Sequence, residues 1–242
     1  STLAISEQKK RTEQLLNIGA ELYVETLYLQ KSIEQIEKIT ANSFDLYKKL
    51  KPVDNTLSLK ALMLAQEIHE VKKDSERIYA GLSKILTIER SDTYALSDLL
   101  RMITESNARY SEYLQKDIHF EVVFNEDFET KEHILLLAML NNIVANAIEA
   151  IETEGFIKLE VTTTPNHITF TIENNGPCIP ECILPVIFDP GYTTKFNENG
   201  IASTGIGLSH VQTIALRLEG TITVSSNQTT IFTITIPTYK LR

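Results

Sequence analysis

The spacing of apolar residues changes character near residue 117. Before it they recur in steps of three and four; beyond it short runs alternate with polar residues. From about Leu3 to Leu50 the chain reads as a helix. Leu15, Ile18, Leu22, Thr26, Leu29, Ile33 and Ile36 form a near-heptad stripe that slips once. Lys51-Pro52-Val53-Asp54-Asn55 ends it, because proline lacks an N–H and clashes with the preceding turn. A second helix is predicted from Thr56 to about Arg90. There Leu57, Ala61, Leu64, Ile68, Val71, Ser75, Ile78, Leu82 and Ile85 keep the beat without fault. A turn at Ser91-Asp92-Thr93 leads to a third, Tyr94 to Gln115, on Leu96, Leu100, Ile103, Asn107, Tyr110 and Leu114. Matching seams and a short connection predict that the second and third helices pair as a hairpin. One hairpin leaves such stripes partly uncovered, so a homodimeric four-helix bundle is expected.

Past residue 117, strands are predicted at Ile118–Phe124, Ile157–Thr163, His167–Glu173, Thr221–Val224 and Thr230–Ile236. Helices are predicted at Leu135–Ala150 and Ser209–Leu218. Strands and helices mix without regular alternation, which suits an α+β sandwich of one sheet and one helical layer. The expected domains are 1–52, an N-terminal helical input segment; 53–116, the hairpin; and 117–242, the sandwich.

A chain of 242 residues has room for about two such bodies. Its net charge of −9 argues against a nucleic-acid partner. Cys178 and Cys182, the two cysteines, fit a reducing compartment and give no disulfide framework or zinc site. No apolar run looks long enough to cross a bilayer and there is no signal peptide. The chain begins at Ser1, so a cytoplasmic piece of a longer protein, with a membrane or sensor segment upstream, is an open expectation.

Candidate chemistry starts in the helix Leu135–Ala150, whose apolar run is interrupted by Asn141, Asn142 and Asn146. Asn142 and Asn146 are one turn apart and share a face. Such amides either bond to nearby backbone or meet a polar ligand or metal; spacing leaves both readings open. Two glycine-bearing loops follow. Asn174-Asn175-Gly176-Pro177-Cys178-Ile179-Pro180 comes directly after a strand. Asp189–Lys195 leads through polar Phe196–Gly200, which suits a mobile lid, to Ser203-Thr204-Gly205-Ile206-Gly207-Leu208 before a helix. Glycines at a helix start let backbone N–H groups approach phosphate, and the helix dipole favours the anion. His69, beside the seam residue Ile68 and followed by Glu70, reads either as ordinary charged surface or as an exposed nucleophilic imidazole with an adjacent base.

Together these segments resemble a sensor histidine kinase, roughly from Thr56 to Ile236. Asn142–Ala147 resembles the N box, Asn174–Ile179 the first glycine box, Ile187–Lys195 the F box and start of the ATP lid, and Thr204–Leu208 the second glycine box. His69-Glu70 resembles the start of the phosphoacceptor box. Within the superfamily the chain is most similar to citrate-, dicarboxylate- and glutamine-sensing kinases. The resemblance implies a GHKL-type ATP-binding domain behind a dimeric phosphotransfer bundle. It also implies ATP and Mg²⁺ as cofactors and a response-regulator receiver domain as partner. Asn146 would ligate the metal. Asn142, Asn146, Asn174, Gly176, Lys195, Thr204, Gly205, Ile206, Gly207 and Leu208 would meet ATP. His69 would accept the phosphoryl group, with Glu70 as base.

Asn142 stands where hydrolysing relatives carry a glutamate that activates water, and an amide cannot serve as general base. That suits slow hydrolysis and transfer to a histidine. Asn174 replaces the aspartate that accepts the adenine amino group, which removes charge assistance from that bond. Cys178 replaces a glycine and would crowd the adenine edge, Ser203 replaces another glycine, and Lys73 replaces a residue that places a phosphatase water. A non-catalytic phosphotransfer or scaffold protein with a degenerate site is the alternative. An ATP-driven clamp is disfavoured, because Asn142 removes the base and His69 would have no task.

Overall fold

In the computed structural model, residues 2–88, 93–193, 205 and 207–242 are described. The chain divides into two compact units: Leu22–Glu89, and Ser1–Glu21 together with Arg90–Arg242. Helix α1, Thr2–Leu50, contributes to both.

In the first unit α1 turns at residues 51–54 into α2, Asn55–Ile88. Asp54 caps α2, its carboxylate accepting the N–H groups of Thr56 and Leu57 at 2.8 and 3.0 Å. Lys72 on α2 pairs with Glu37 on α1 at 3.1 Å, and the Tyr79 hydroxyl donates to Gln30 at 3.3 Å. The hairpin is therefore α1–α2, which corrects the expected pairing of the second and third helices. The third helix belongs to the other unit, so the expected boundaries at 52/53 and 116/117 also move.

The reason lies in what each helix buries. Helix α3, Leu96–Tyr113, sinks Leu96, Leu99, Leu100, Met102 and Ile103 against α4 and β2. On α2 the heptad Leu57, Leu64, Val71, Ile78 and Ile85 stays 47–55% exposed. A period of three and four specifies an amphipathic helix but not which neighbour covers it.

The second unit carries the sheet. Its strands are β2, Asp117–Phe124; β4, Glu154–Thr163; β5, His167–Asn174; β6, Thr221–Ser226; and β7, Thr230–Pro237. They run in the order β2-β4-β5-β7-β6. All neighbours are antiparallel except β2 and β4, which are parallel and joined through helix α4, His133–Ala150. A two-stranded ribbon, β1 (Tyr94–Ala95) with β3 (Glu129–Thr130), ties the start of α3 to the start of α4.

The core lies between α3, α4, α5 (Gly207–Arg217) and one sheet face, where Ile157, Leu159, Ile168, Phe170, Ile172 and Ile234 are buried. The opposite face carries Thr162, Thr169 and Thr235 in register. This alternation is the predicted α+β sandwich. Helix α4 is apolar enough by length and composition to cross a membrane, contrary to the reading that no run qualifies. Here twelve of its residues are buried in the core. The short α6, Thr238–Leu241, closes the described chain.

Candidate nucleotide site

The asparagines of α4 separate into two roles. Asn141 Oδ1 accepts a hydrogen bond from Asn107 Nδ2 of α3 at 2.8 Å, and Asn107 also donates to the Ile103 carbonyl. That pair joins two helices inside the core. Asn142 Nδ2 donates to the Ala138 carbonyl at 2.7 Å, so half of its amide is spent on its own helix. Its oxygen faces the first residue of α5. A Cβ placed on Gly207 would lie 3.0 Å from Asn142 Oδ1 and 3.6 Å from Asn146 Nδ2. The lack of a side chain at Gly207 lets the α5 start lie against both amides. The first N–H groups of a helix have no intrahelical acceptor, so the start of α5 favours an anion.

The loop ahead of α5 is closed at its base. Gly191 N–H donates to the Gly205 carbonyl at 3.1 Å. Gly205 has φ +60°, and a Cβ there would stand 2.5 Å from the Tyr192 carbonyl oxygen, so no other residue fits without a backbone shift. Leu208 is half-buried in the first turn of α5. Lys195, Ser203, Thr204, Ile206 and the expected lid at Phe196–Gly200 lie outside the described residues, as do Ser91 and Asp92 of the expected turn.

The loop after β5 packs beside the C-terminal end of α4. Asn174 is buried, 3% exposed. Its Oδ1 accepts the Gly176 N–H at 3.1 Å and its Nδ2 donates to the Thr230 carbonyl at 3.4 Å. Ser226 holds the same loop, accepting the Ile179 N–H at 2.8 Å and sharing a 2.7 Å bond with the Thr230 hydroxyl. The Cys178 thiol donates to the Asn227 carbonyl, so it is engaged with the β6–β7 turn. A Cβ on Gly176 would touch Ala150 at the end of α4 at 3.4 Å. Asn142 and Ala150 are two turns apart, about 12 Å along the helix at 1.5 Å per residue. The α5 start thus lies beside Asn142 and Asn146, and the loop after β5 lies beside Ala150, further along the same helix.

His69 lies in the hairpin unit and is exposed on α2. Glu70 accepts a 3.0 Å bond from Lys73. That bond, then the lysine's charge, lowers the Glu70 carboxyl below its usual range, with a smaller contribution from His69. Among the described residues no group of three or more His, Cys, Asp or Glu is placed to hold a metal. The amide oxygen of Asn146 is a neutral, hard ligand, suited to Mg²⁺ that keeps most of its coordination from phosphates and water.

Sequence reasoning missed the supports of this site. Lys116 donates to the carbonyls of Ile148, Glu149 and Ile151 at 2.8, 3.0 and 2.6 Å, closing the C-terminus of α4. Asp127 caps α3, accepting from the Ser97 N–H and hydroxyl at 2.9 and 2.5 Å. Each joins residues thirty or more apart, and no local pattern announces them.

Residues 131–240 match the family model described as histidine kinase-, DNA gyrase B-, and HSP90-like ATPase. Over 235 residues the chain is 41% identical to sensor histidine kinase GlnK of Bacillus subtilis strain 168, covering 96% of this chain and 57% of that protein. It is 31% identical over 130 residues to sensor protein CreC of Escherichia coli K12, covering 54% of this chain and 27% of that one. The nucleotide-free catalytic domain of histidine kinase ThkA aligns with a TM-score of 0.51 at 26% identity, over 60% of this chain and 97% of the other. The chain spans little more than half the length of GlnK and about a quarter of CreC.

Proposed function

We infer that this chain is a sensor histidine kinase, and propose that it moves the γ-phosphoryl group of ATP to His69 and then to an aspartate of a response-regulator receiver domain. The observation that carries the reading is the lodging of Gly207 against Asn142 and Asn146. It supports triphosphate binding where the α5 N-terminus meets the amide face of α4. Lys195, Thr204, Gly205, Ile206 and Leu208 belong to the same proposed binding set.

In the transfer, a His69 ring nitrogen forms the P–N bond while the bond from phosphorus to the β–γ bridging oxygen breaks. ADP leaves with that oxygen, and Glu70 takes the ring proton. Its ion pair with Lys73 opposes that role, so the pair opens before the proton moves. Mg²⁺, held through Asn146, would offset phosphate charge. An amide at 142 leaves water without a base, which supports transfer over hydrolysis.

A homodimer is part of the proposal. The half-exposed heptad from Leu57 to Ile85 is a stripe that a second copy would cover. The test is incubation with γ-labelled ATP and Mg²⁺. Acid-labile label on the parent, absent from His69→Gln and Asn146→Ala, supports the kinase. Label that persists in His69→Gln overturns the acceptor. No label and no nucleotide binding favours the scaffold reading, for which the departures at Asn174 and Cys178 speak.

A further inference from the structure

The C-terminus of α4 is closed by a single positive charge. Lys116 Nζ donates to the carbonyls of Ile148, Glu149 and Ile151 at 2.8, 3.0 and 2.6 Å. An ammonium has three hydrogens and no lone pair, so these bonds spend it completely. Its root is fixed as well. The Lys116 N–H donates to the Ser111 carbonyl near the end of α3 at 2.9 Å, and the Asp117 N–H donates to the Thr153 carbonyl at 2.7 Å. The side chain therefore leaves from backbone held by α3 on one side and by the turn before β4 on the other.

The last carbonyls of a helix have no intrahelical donor, and the helix dipole makes that end negative. In α4 the Ala147 carbonyl takes the Ile151 N–H at 3.1 Å, and Lys116 serves the next two and that of the C-cap residue Ile151. Asn146 stands one turn before Ala150, the last residue of α4, and Asn142 one turn before that. Without the ammonium three carbonyl bonds go at once. Fraying starts at helix ends, and here the end is the turn that follows Asn146.

We propose that Lys116 is a positioning residue of the nucleotide site, its ammonium acting as a fixed monovalent cation that sets the end of α4 and, through it, the amides of Asn142 and Asn146. The inference rests on the reading of those amides as a nucleotide site. The role belongs to the charge and the three carbonyls, so a free cation takes it over once the ammonium is removed. Potassium fits, because carbonyl oxygens replace its hydration shell. The test is calorimetric titration of the whole chain with ATP and Mg²⁺, in choline chloride and in potassium chloride at equal ionic strength, below the melting temperature of each variant. Lys116→Met keeps the bulk of the side chain without its charge, and Lys116→Ala leaves room for an ion. The parent should show the same Kd in both salts. Lys116→Met should bind ATP about tenfold or more weakly in both, as when a group that orients a ligating side chain is lost. Lys116→Ala should be as weak in choline and recover most of that loss in potassium, a response that a merely structural cap does not give. ATP affinity equal to the parent's in either variant in choline overturns the inference and leaves the nucleotide site standing, as does a Lys116→Ala chain that is weak in both salts. No ATP binding by the parent overturns the nucleotide site, and the inference with it. Where Lys116→Ala does not fold in choline, its melt decides: folding restored by potassium supports the inference, and folding restored by neither salt overturns it.

Discussion

Replacing Gly207 by alanine separates function from fold. The position has no left-handed backbone to strain, since positive φ among the described glycines occurs at Gly191 and Gly205. It begins α5, where alanine is a better helix former than glycine by up to about 1 kcal/mol. The melting temperature should therefore hold or rise. The new methyl group would meet Asn142 Oδ1 at 3.0 Å and Asn146 Nδ2 at 3.6 Å. The first contact is tighter than ordinary packing, so the Asn142 amide or the α5 start must give by a few tenths of an ångström. A misplacement of about 1 Å can cost about 100-fold in a positioned reaction. A displacement of a third of that, combined with a methyl group where phosphate would approach, should cost about tenfold or more in ATP affinity and autophosphorylation. Calorimetry with ATP and Mg²⁺, alongside a thermal melt, reads both quantities. Unchanged ATP affinity with an unchanged melt would refute the assignment of phosphate to this corner.

Other substitutions probe the supports. Asn107→Ala leaves the half-buried oxygen of Asn141 without this partner and should cost about 1 kcal/mol in urea denaturation. Asp127→Ala removes the α3 cap and should cost about 0.5–2 kcal/mol. Burial tends to raise the Asp127 carboxyl, but the bonds from Ser97 and Phe128 outweigh it and the pKa is lowered. Its contribution is thus present above the unfolded value of about 3.9 and is lost as pH falls through the lower folded value. Acid titration should show this loss in the parent and not in the variant. Tyr110 is pushed up to about 12, first by burial and then by its bond to Glu149. Its contribution is present below an unfolded value of about 10 and is lost as pH rises from there to the folded value, so Tyr110→Phe should flatten the alkaline arm of the stability profile.

The site was more legible than its supports because its signals are local. Asn142 and Asn146 share a face by helical arithmetic, and glycines beside a helix start carry their meaning in their immediate neighbours. The strands at His167–Glu173 and Thr230–Ile236 announce one buried face by alternation. The hairpin was misassigned for a physical reason. Leu96, Leu100 and Ile103 repeat like Leu57, Leu64 and Val71, yet the first set is buried under the sheet domain while the second stays half-exposed. Periodicity fixes which face is apolar, and long-range packing fixes what covers it. Asn107 was read as a seam position because nothing near it in the chain points to Asn141. Likewise Cys178 was read from its place in a glycine box, whereas its engagement with Asn227 depends on a turn far along the chain.

The most direct test of the central claim is to locate the phosphoryl group. The whole chain is incubated with ATP and Mg²⁺, digested at neutral pH, and its peptides mapped by mass spectrometry. The account predicts phosphohistidine at His69, absent when Asn146 is alanine. Phosphoryl on His119, His133, His167 or His210 instead, or at His69 undiminished in Asn146→Ala, would contradict it.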